Sequence, residues 1–334
     1  MTINQSPLQP TPVGAFRFNT DSSKLEYYDG NQWVNITSDT PDKQTGGTRG
    51  VNTAGNTPTY YNEIVYWNID STGNATDFGD MTRAHNNVNV VSSSTRGVCG
   101  GGYDGSSTVY NTMDFFSFGI TANSTDFGDL SQAKRNCTPI STETRGIFAG
   151  GYAEPAKYNT IEYITISATG NSVDFGDMVN SVFQSGASCS PTRGVITGGQ
   201  SPSVNVIQYI KPSSLGNAAD FGDLTSTRSG AQGICSNAIR GLHWDNSSNT
   251  IEYITIASLG NATDFGDNNY VPGGGGTCSS RNRGMVFGGF VSPSNISHMS
   301  YVQIMTTGNG TDFGDLARAW SSNGGGSNAH GGLG

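Results

Sequence analysis

Charge is scarce in this sequence. Charged residues make up 13% of the 334 positions, about half the usual ~25%. Lys and Arg number 17 against 26 Asp and Glu, a net charge of -9, and the basic residues form no cluster. Nucleic acid and anionic membrane surfaces are therefore excluded as expected partners, since both are held by clustered basic groups. No apolar run approaches ~18 residues, so no membrane insertion is expected. The first ten residues, MTINQSPLQP, lack the apolar stretch of a secretory signal. Metal and catalytic signatures are missing too. The cysteines (Cys99, Cys137, Cys189, Cys235 and Cys278) are odd in number and form no CxxC. His85, His243, His298 and His330 fall at unrelated positions, and neither HExxH nor GxSxG occurs. The expectation is no enzyme, no catalytic residue, no metal and no cofactor, with the cysteines as small inward-facing apolar side chains of a protein made in a reducing cytosol.

Glycine, by contrast, is abundant at 47 residues, which suits short strands joined by tight turns better than long helices. The tetrapeptide DFGD occurs six times, beginning at Asp77, Asp126, Asp174, Asp220, Asp264 and Asp312, at intervals of 49, 48, 46, 44 and 48 residues. An Arg-Gly pair runs in phase with it at Arg49, Arg96, Arg145, Arg193, Arg240 and Arg283. Between these markers lies a segment best represented by NTIEYITI, at Asn159–Ile166 and again at Asn249–Ile256. Each unit reads as four strands: a segment such as QSGASCS, then RGIFAGG, then IEYITI, then VDFGD. Gly pairs such as Gly150-Gly151 end the second strand, and Gly-Asn pairs such as Gly170-Asn171 turn the third into the fourth.

A repeat of four strands and this length is that of a propeller blade. It resembles the kelch family, whose blades also carry a double Gly after the second strand and aromatics in the third and fourth, although Phe78, Phe127, Phe175, Phe221, Phe265 and Phe313 stand where kelch has Trp. The expected fold is all-β: a six-bladed kelch-like β-propeller over 48–334 with four-stranded blades. The tail after Leu316, near Trp320, should supply the first strand of blade one by pairing at Arg49, so that no sheet edge is left open.

Ahead of the repeats, residues 14–37 read as a β-meander: AFRFN, a turn at Thr20–Ser23, KLEYY, a turn at Asp29-Gly30-Asn31, then WVNI. A polar linker spans 38–47. Phe16, Phe18, Tyr27 and Trp33 are a large apolar load for a sheet with little core of its own, and point to attachment or oligomerisation. Gly14, Arg17, Phe18, Asn19, Asp21, Glu26, Tyr27, Tyr28, Asp29, Gly30 and Trp33 resemble a segment of bacteriophage tail fibres and other virion proteins. The GNATDFGDL-type repeat is similar to repeats in structural proteins of phages of marine cyanobacteria. These resemblances imply a virion protein assembled with tail, baseplate or capsid proteins, and a homo-oligomer, trimers being common among such modules.

The recurring motifs read as scaffold. DFG lacks every companion of the kinase metal motif, and six copies at blade period argue for packing, with Phe between blades, Gly at a bend and Asp capping turns or pairing with Arg. Two Asp three residues apart do not supply the six to eight oxygens of a Ca²⁺ site. The Arg set is either an anion site around a channel or bonded within its own blade to the acids Glu63, Asp114, Glu162 and Glu252. The loops after the second strand differ in every unit and carry Tyr60, Tyr61, Tyr103, Tyr110, Tyr152, Trp244 and Phe290. Either these stack on a host surface glycan or they pack over the blade ends. The functional expectation is a tail-fibre adhesin whose propeller face binds a host surface glycan or protein, the alternative being a capsid, sheath or baseplate structural protein with no host ligand.

Overall fold

Strands provide nearly all the regular structure, and the helical content among the described residues is one 3₁₀ turn, Gly331–Leu333. The computed structural model describes residues 11–20, 24–35, 47–57, 59–230 and 232–333. By internal contacts the chain divides into two units, Met1–Lys43 and Gln44–Gly334. The expected linker 38–47 lies outside the described residues apart from Gly47, as does the first turn of the meander beyond Thr20.

The first unit is a three-stranded antiparallel sheet of Phe16–Asn19, Lys24–Tyr28 and Trp33–Asn35. Asp29 shapes the second turn by accepting the N–H groups of Asn31 and Gln32 at 2.8 and 2.7 Å. Register separates the two faces. Phe16 and Phe18 pair with Tyr27 and Leu25, and Tyr27 with Val34. That face is open: Phe16 is 67% and Phe18 62% exposed. Trp33 lies on the other face, where the Arg17 guanidinium stacks 4.2 Å from its ring and pairs with the buried Glu26 at 2.7 Å. The four aromatics thus do not form one patch: Phe16, Phe18 and Tyr27 share a face, and Trp33 belongs to a self-contained polar cluster behind it.

The second unit consists of six antiparallel sheets with one plan. Sheet 1 orders Gly324–Ser327, Arg49–Thr57, Thr59–Asn68 and Thr76–Asp80; sheet 2, Asn89–Ser92, Arg96–Gly100, Thr112–Ser117 and Thr125–Asp129; sheet 3, Thr138–Ser141, Arg145–Ala149, Thr160–Thr165 and Val173–Asp177. Sheet 4 orders Gly186–Cys189, Gly194–Thr197, Val206–Ile210 and Ala219–Asp223; sheet 6, Gly276–Ser279, Arg283–Phe287, His298–Gln303 and Thr311–Asp315. Sheet 5 departs. Its strands are Arg240–Trp244, Thr250–Thr255 and Thr263–Asp267, and the segment expected as its first strand instead sends Gln232–Gly233 to pair in parallel with sheet 6. The C-terminal segment pairs antiparallel with the strand that starts at Arg49, from Gly324 opposite Thr53 to Ser327 opposite Gly50.

The core is divided among the boundaries between sheets. Val51 and Phe78 of sheet 1 pack with Val90 and Phe116 of sheet 2, and equivalent buried clusters join sheets 2 and 3, 3 and 4, 4 and 5, and 5 and 6. A sixth cluster puts Phe287 and Phe313 of sheet 6 against Val65 and Trp67 of sheet 1. The order of contacts therefore closes on itself. With neighbours on both faces, the strands do not alternate between core and solvent: Ile161, Glu162 and Ile164 are all buried.

The conserved-looking motifs of the repeat become bonds between consecutive sheets. In all six sheets the register between third and fourth strands slips at DFGD, a β-bulge. The DFGD glycine sits at positive φ, +146° at Gly176, and a Cβ there would lie 2.5 Å from the Gly216 carbonyl oxygen of the next sheet. Beside it the last Asp N–H donates to the Asn of the next turn at 3.0–3.1 Å: Asp80 to Asn123, Asp129 to Asn171, Asp177 to Asn217, Asp223 to Asn261, Asp267 to Asn309 and Asp315 to Asn74.

Candidate functional site

The six arginines are fully used within this scaffold. Each guanidinium lies 4.1–4.7 Å from the ring of its own third strand (Tyr66, Phe115, Tyr163, Tyr209, Tyr253 and Tyr301). Each also donates to a carbonyl of the following sheet: Arg49 to Phe118, Arg96 to Ile166, Arg145 to Pro212, Arg193 to Ile256, Arg240 to Ile304 and Arg283 to Ile69. None of the six bonds to an acid of its own sheet. The acids bond across sheet boundaries instead. Asp114 accepts from Thr82, Glu162 from Ser131, Glu252 from Thr225 and Glu63 from Arg318, while Ser172 of its own sheet also donates to Glu162.

Two of those acids hold buried cations. Lys134 Nζ is 2.5 Å from Glu162, both at most 2% exposed, and Arg228 is 3.5 Å from Glu252. Burial raises the Glu162 carboxyl, but the Lys134 ammonium, Ser172 hydroxyl and Ser131 N–H outweigh it and leave the group below the usual carboxylate range. The position is the fifth after DFGD, and its occupants match the third-strand residue of the next sheet. Lys134 pairs with Glu162 and Arg228 with Glu252, whereas His85 bonds the Arg83 carbonyl and burial lowers its imidazole below the usual range; Val182 corresponds to Gln208, Pro272 to Ser300, and Trp320 shares a cluster with Val65. The pairing is legible in the sequence at two units, where Lys134 and Arg228 stand five residues after DFGD and the next unit carries the Glu of IEY.

At one end of the sheets, the ends of the inner strands form a second ring. Ser92 N–H donates to Ser141, Ser141 to Cys189 Sγ, Cys189 to Ser236 and Ser236 to Ser279, at 2.9–3.4 Å. Ser327 and Ser92 hydroxyls complete it at 2.7 Å through the Ser279 and Ser327 carbonyls. The C-terminal tail lies across this ring. His330 Nε2–H donates to Ser92 O at 2.8 Å, its Nδ1 accepts from Gly332, and Gly331 N–H donates to Ser236 O. A Cβ on Gly332 would meet the Ser141 carbonyl at 1.8 Å, so only glycine lets the tail lie this close. Burial pushes the His330 imidazole down to about 4. All five cysteines are buried free thiols, and burial pushes Cys137 up to about 11 and Cys189 to about 12. Among the described residues no group of three or more His, Cys, Asp and Glu could hold a metal ion.

The loops after the second strands gather at the opposite end of the sheets. Each is pinned by an isolated antiparallel bridge to the connector from the preceding sheet: Asn56 to Ser321, Tyr103 to Asn86, Tyr152 to Arg135, Gln200 to Phe183, Asp245 to Gly230 and Phe290 to Gly273. The seven aromatics expected there have different fates. Trp244 is a correction: it closes a strand, is 2% exposed and packs in the boundary core of sheets 5 and 6. Tyr60 and Tyr61 belong to the long third strand of sheet 1. Tyr60 abuts Gly105, and Tyr61 lies 6.3 Å from Trp320 with Arg318 over its ring. Tyr110 is flanked by His85 and Arg83. Phe290, at 49% exposed, presents its ring to solvent. Tyr103 and Tyr152 both lie against Arg135, their ring centres 4.1 and 5.3 Å from its guanidinium, and Tyr152 stacks in turn on Phe183 at 4.8 Å. Beside this stack opens a cleft of about 350 Å³ lined by Tyr103, Ser107, Val109, Arg135, Ala153 and Glu154.

No protein-family model matches the chain, and no curated protein matches it.

Proposed function

We propose that residues 48–334 are a six-bladed kelch-like β-propeller and that the chain is a non-enzymatic bacteriophage virion protein, a tail-fibre adhesin whose loop end binds a host surface glycan or protein. The propeller reading is supported by the closed order of sheet contacts, with Arg283 bonded to Ile69 and Asp315 to Asn74 across the last boundary. One observation carries the binding reading. The recurring Arg and the recurring Gly-Asp of DFGD are engaged in bonds between sheets, whereas the loops that differ from unit to unit gather at one end, pinned by a regular set of bridges. Varied side chains on a repeated frame are the usual seat of recognition. The apolar face of Phe16, Phe18, Leu25 and Tyr27 suits attachment to other virion proteins or to copies of the same sheet.

The test is host adsorption in competition with the purified full chain, set beside a Tyr103→Ala/Phe290→Ala variant. Blocking by the chain and not by the variant supports the adhesin. If the intact chain binds no host cells, the adhesin reading is lost and a capsid, sheath or baseplate part takes its place.

A further inference from the structure

We propose that the cleft beside Arg135 binds a sugar residue bearing a carboxylate, with Arg135 as the clamp on that carboxylate. The proposal rests on the reading of this end as a glycan-binding surface and names the ligand chemistry.

Arg135 stands apart from the repeated arginines; Arg83, stacked 5.2 Å from the Tyr110 ring, likewise has no carboxylate among the described residues, but it does not line the cleft. Arg135 is not a repeat residue, since the bridge position it occupies holds Asn86, Phe183, Gly230, Gly273 and Ser321 in the other units. The repeated arginines each donate to a carbonyl, and Arg17, Arg228 and Arg318 each have a carboxylate. Arg135 is half-buried, its Nε is fully shielded without a partner, and among the described residues no carboxylate or carbonyl receives its guanidinium. The rings of Tyr103 and Tyr152 both lie against it, which restrains the guanidinium while its N–H groups stay available to a ligand. A planar, permanently charged fork held this way is complementary to a carboxylate bound through two parallel hydrogen bonds.

The nearby acids do not fill that role. Asp104 accepts the N–H groups of Ser106, Ser107 and Thr108 at 2.9–3.0 Å and is engaged within its own loop. Glu154 sits exposed at the tip of the Tyr152–Lys157 hairpin, where burial and next its own carboxylate raise the Tyr152 hydroxyl. Glu154 and Ser107, both lining the cleft, are suited to accept and donate hydrogen bonds to sugar hydroxyls. The cleft, at about 350 Å³, falls within the range of small-ligand sites. A uronic acid residue combines the carboxylate, the hydroxyls and the size.

The experiment titrates the full chain calorimetrically with trimers of galacturonate and of glucuronate, with a neutral trisaccharide, and with triglutamate. Arg135→Gln and Arg135→Lys are titrated in parallel after thermal unfolding shows both folded. At least one uronate trimer should bind, with affinity reduced about tenfold or more in Arg135→Gln and less in Arg135→Lys. Absence of uronate binding, unchanged affinity in Arg135→Gln, or equal binding of the neutral trisaccharide overturns the proposal, and tighter binding of triglutamate assigns the cleft to an acidic peptide instead. Host-cell binding by the same proteins separates the two readings. Cells bound equally by the intact chain and Arg135→Gln sink this site and leave the adhesin standing. Arg135-dependent uronate binding without cell binding does the reverse.

Discussion

Gly176→Ala and Gly170→Ala, made separately, test whether the DFGD glycine is required by close approach between sheets or by backbone conformation alone. Both residues hold similar positive φ, +146° and +156°, so each substitution brings comparable backbone strain, about 1–3 kcal/mol. Their surroundings differ. A Cβ at Gly170 meets nothing within 4 Å, whereas at Gly176 it meets Gly216 O at 2.5 Å and Gly216 C at 2.6 Å. Those atoms are backbone and move only with the turn. Displacing that turn disrupts three bonds between sheets: Gly216 N–H to Phe175 O, Ala218 N–H to Asp177 O and Asp177 N–H to Asn217. At about 1 kcal/mol each, Gly176→Ala should destabilise by about 3 kcal/mol more than Gly170→Ala. Thermal unfolding followed by circular dichroism should place its midpoint roughly 5 °C or more below that of the Gly170 variant. Equal midpoints for the two variants would refute the argument from close approach.

Lys134→Val should destabilise by about 3–5 kcal/mol because it strands the buried Glu162 charge. Adding Glu162→Gln recreates the Val182–Gln208 combination found one boundary further on, and should recover most of that loss in urea unfolding; a double variant no more stable than the single would contradict the pairing. His330, held near 4 when folded and near 6.5 when unfolded, takes up its proton first in the unfolded chain. Its contribution is complete above about pH 6.5, declines as pH falls and is gone below about 4. His330→Gln should therefore flatten the dependence of the unfolding midpoint on pH between 6.5 and 4, and an unchanged slope would exclude His330 as its source. The five thiols should resist iodoacetamide at pH 8 in the folded protein and all react once it is unfolded, which mass spectrometry reads directly; labelling of any one of them in the native state would mean that its burial is wrong.

Much of the fold is legible in the sequence because strand alternation, turn glycines and the repeat period are local properties of the chain. Six DFGD and six Arg-Gly markers in phase define six units of four strands, and the unpaired strand left at each end of the repeat points to the pairing of Gly324–Ser327 with the strand from Arg49. The fifth unit escaped this reading, since Gln232–Gly233 follows the same spacing yet pairs with sheet 6. The partners of the side chains were decided by the tertiary structure. Arg145 could reach an acid of its own strand neighbours, but the adjacent sheet places the Pro212 carbonyl 2.7 Å from it. Trp244 reads as a loop residue because the Gly pair that ends the second strands of sheets 2, 3, 4 and 6 is missing after it, and only the packing of sheet 6 on sheet 5 turns it inward. Arg135 carries no motif at all. Its significance comes from two tyrosines, 32 positions before it and 17 after it (135 − 103 and 152 − 135), which are brought against it by the succession of sheets. Local periodicity fixes where strands begin and which way they run, while contacts between sheets join residues far apart in the chain and depend on how closely whole surfaces fit.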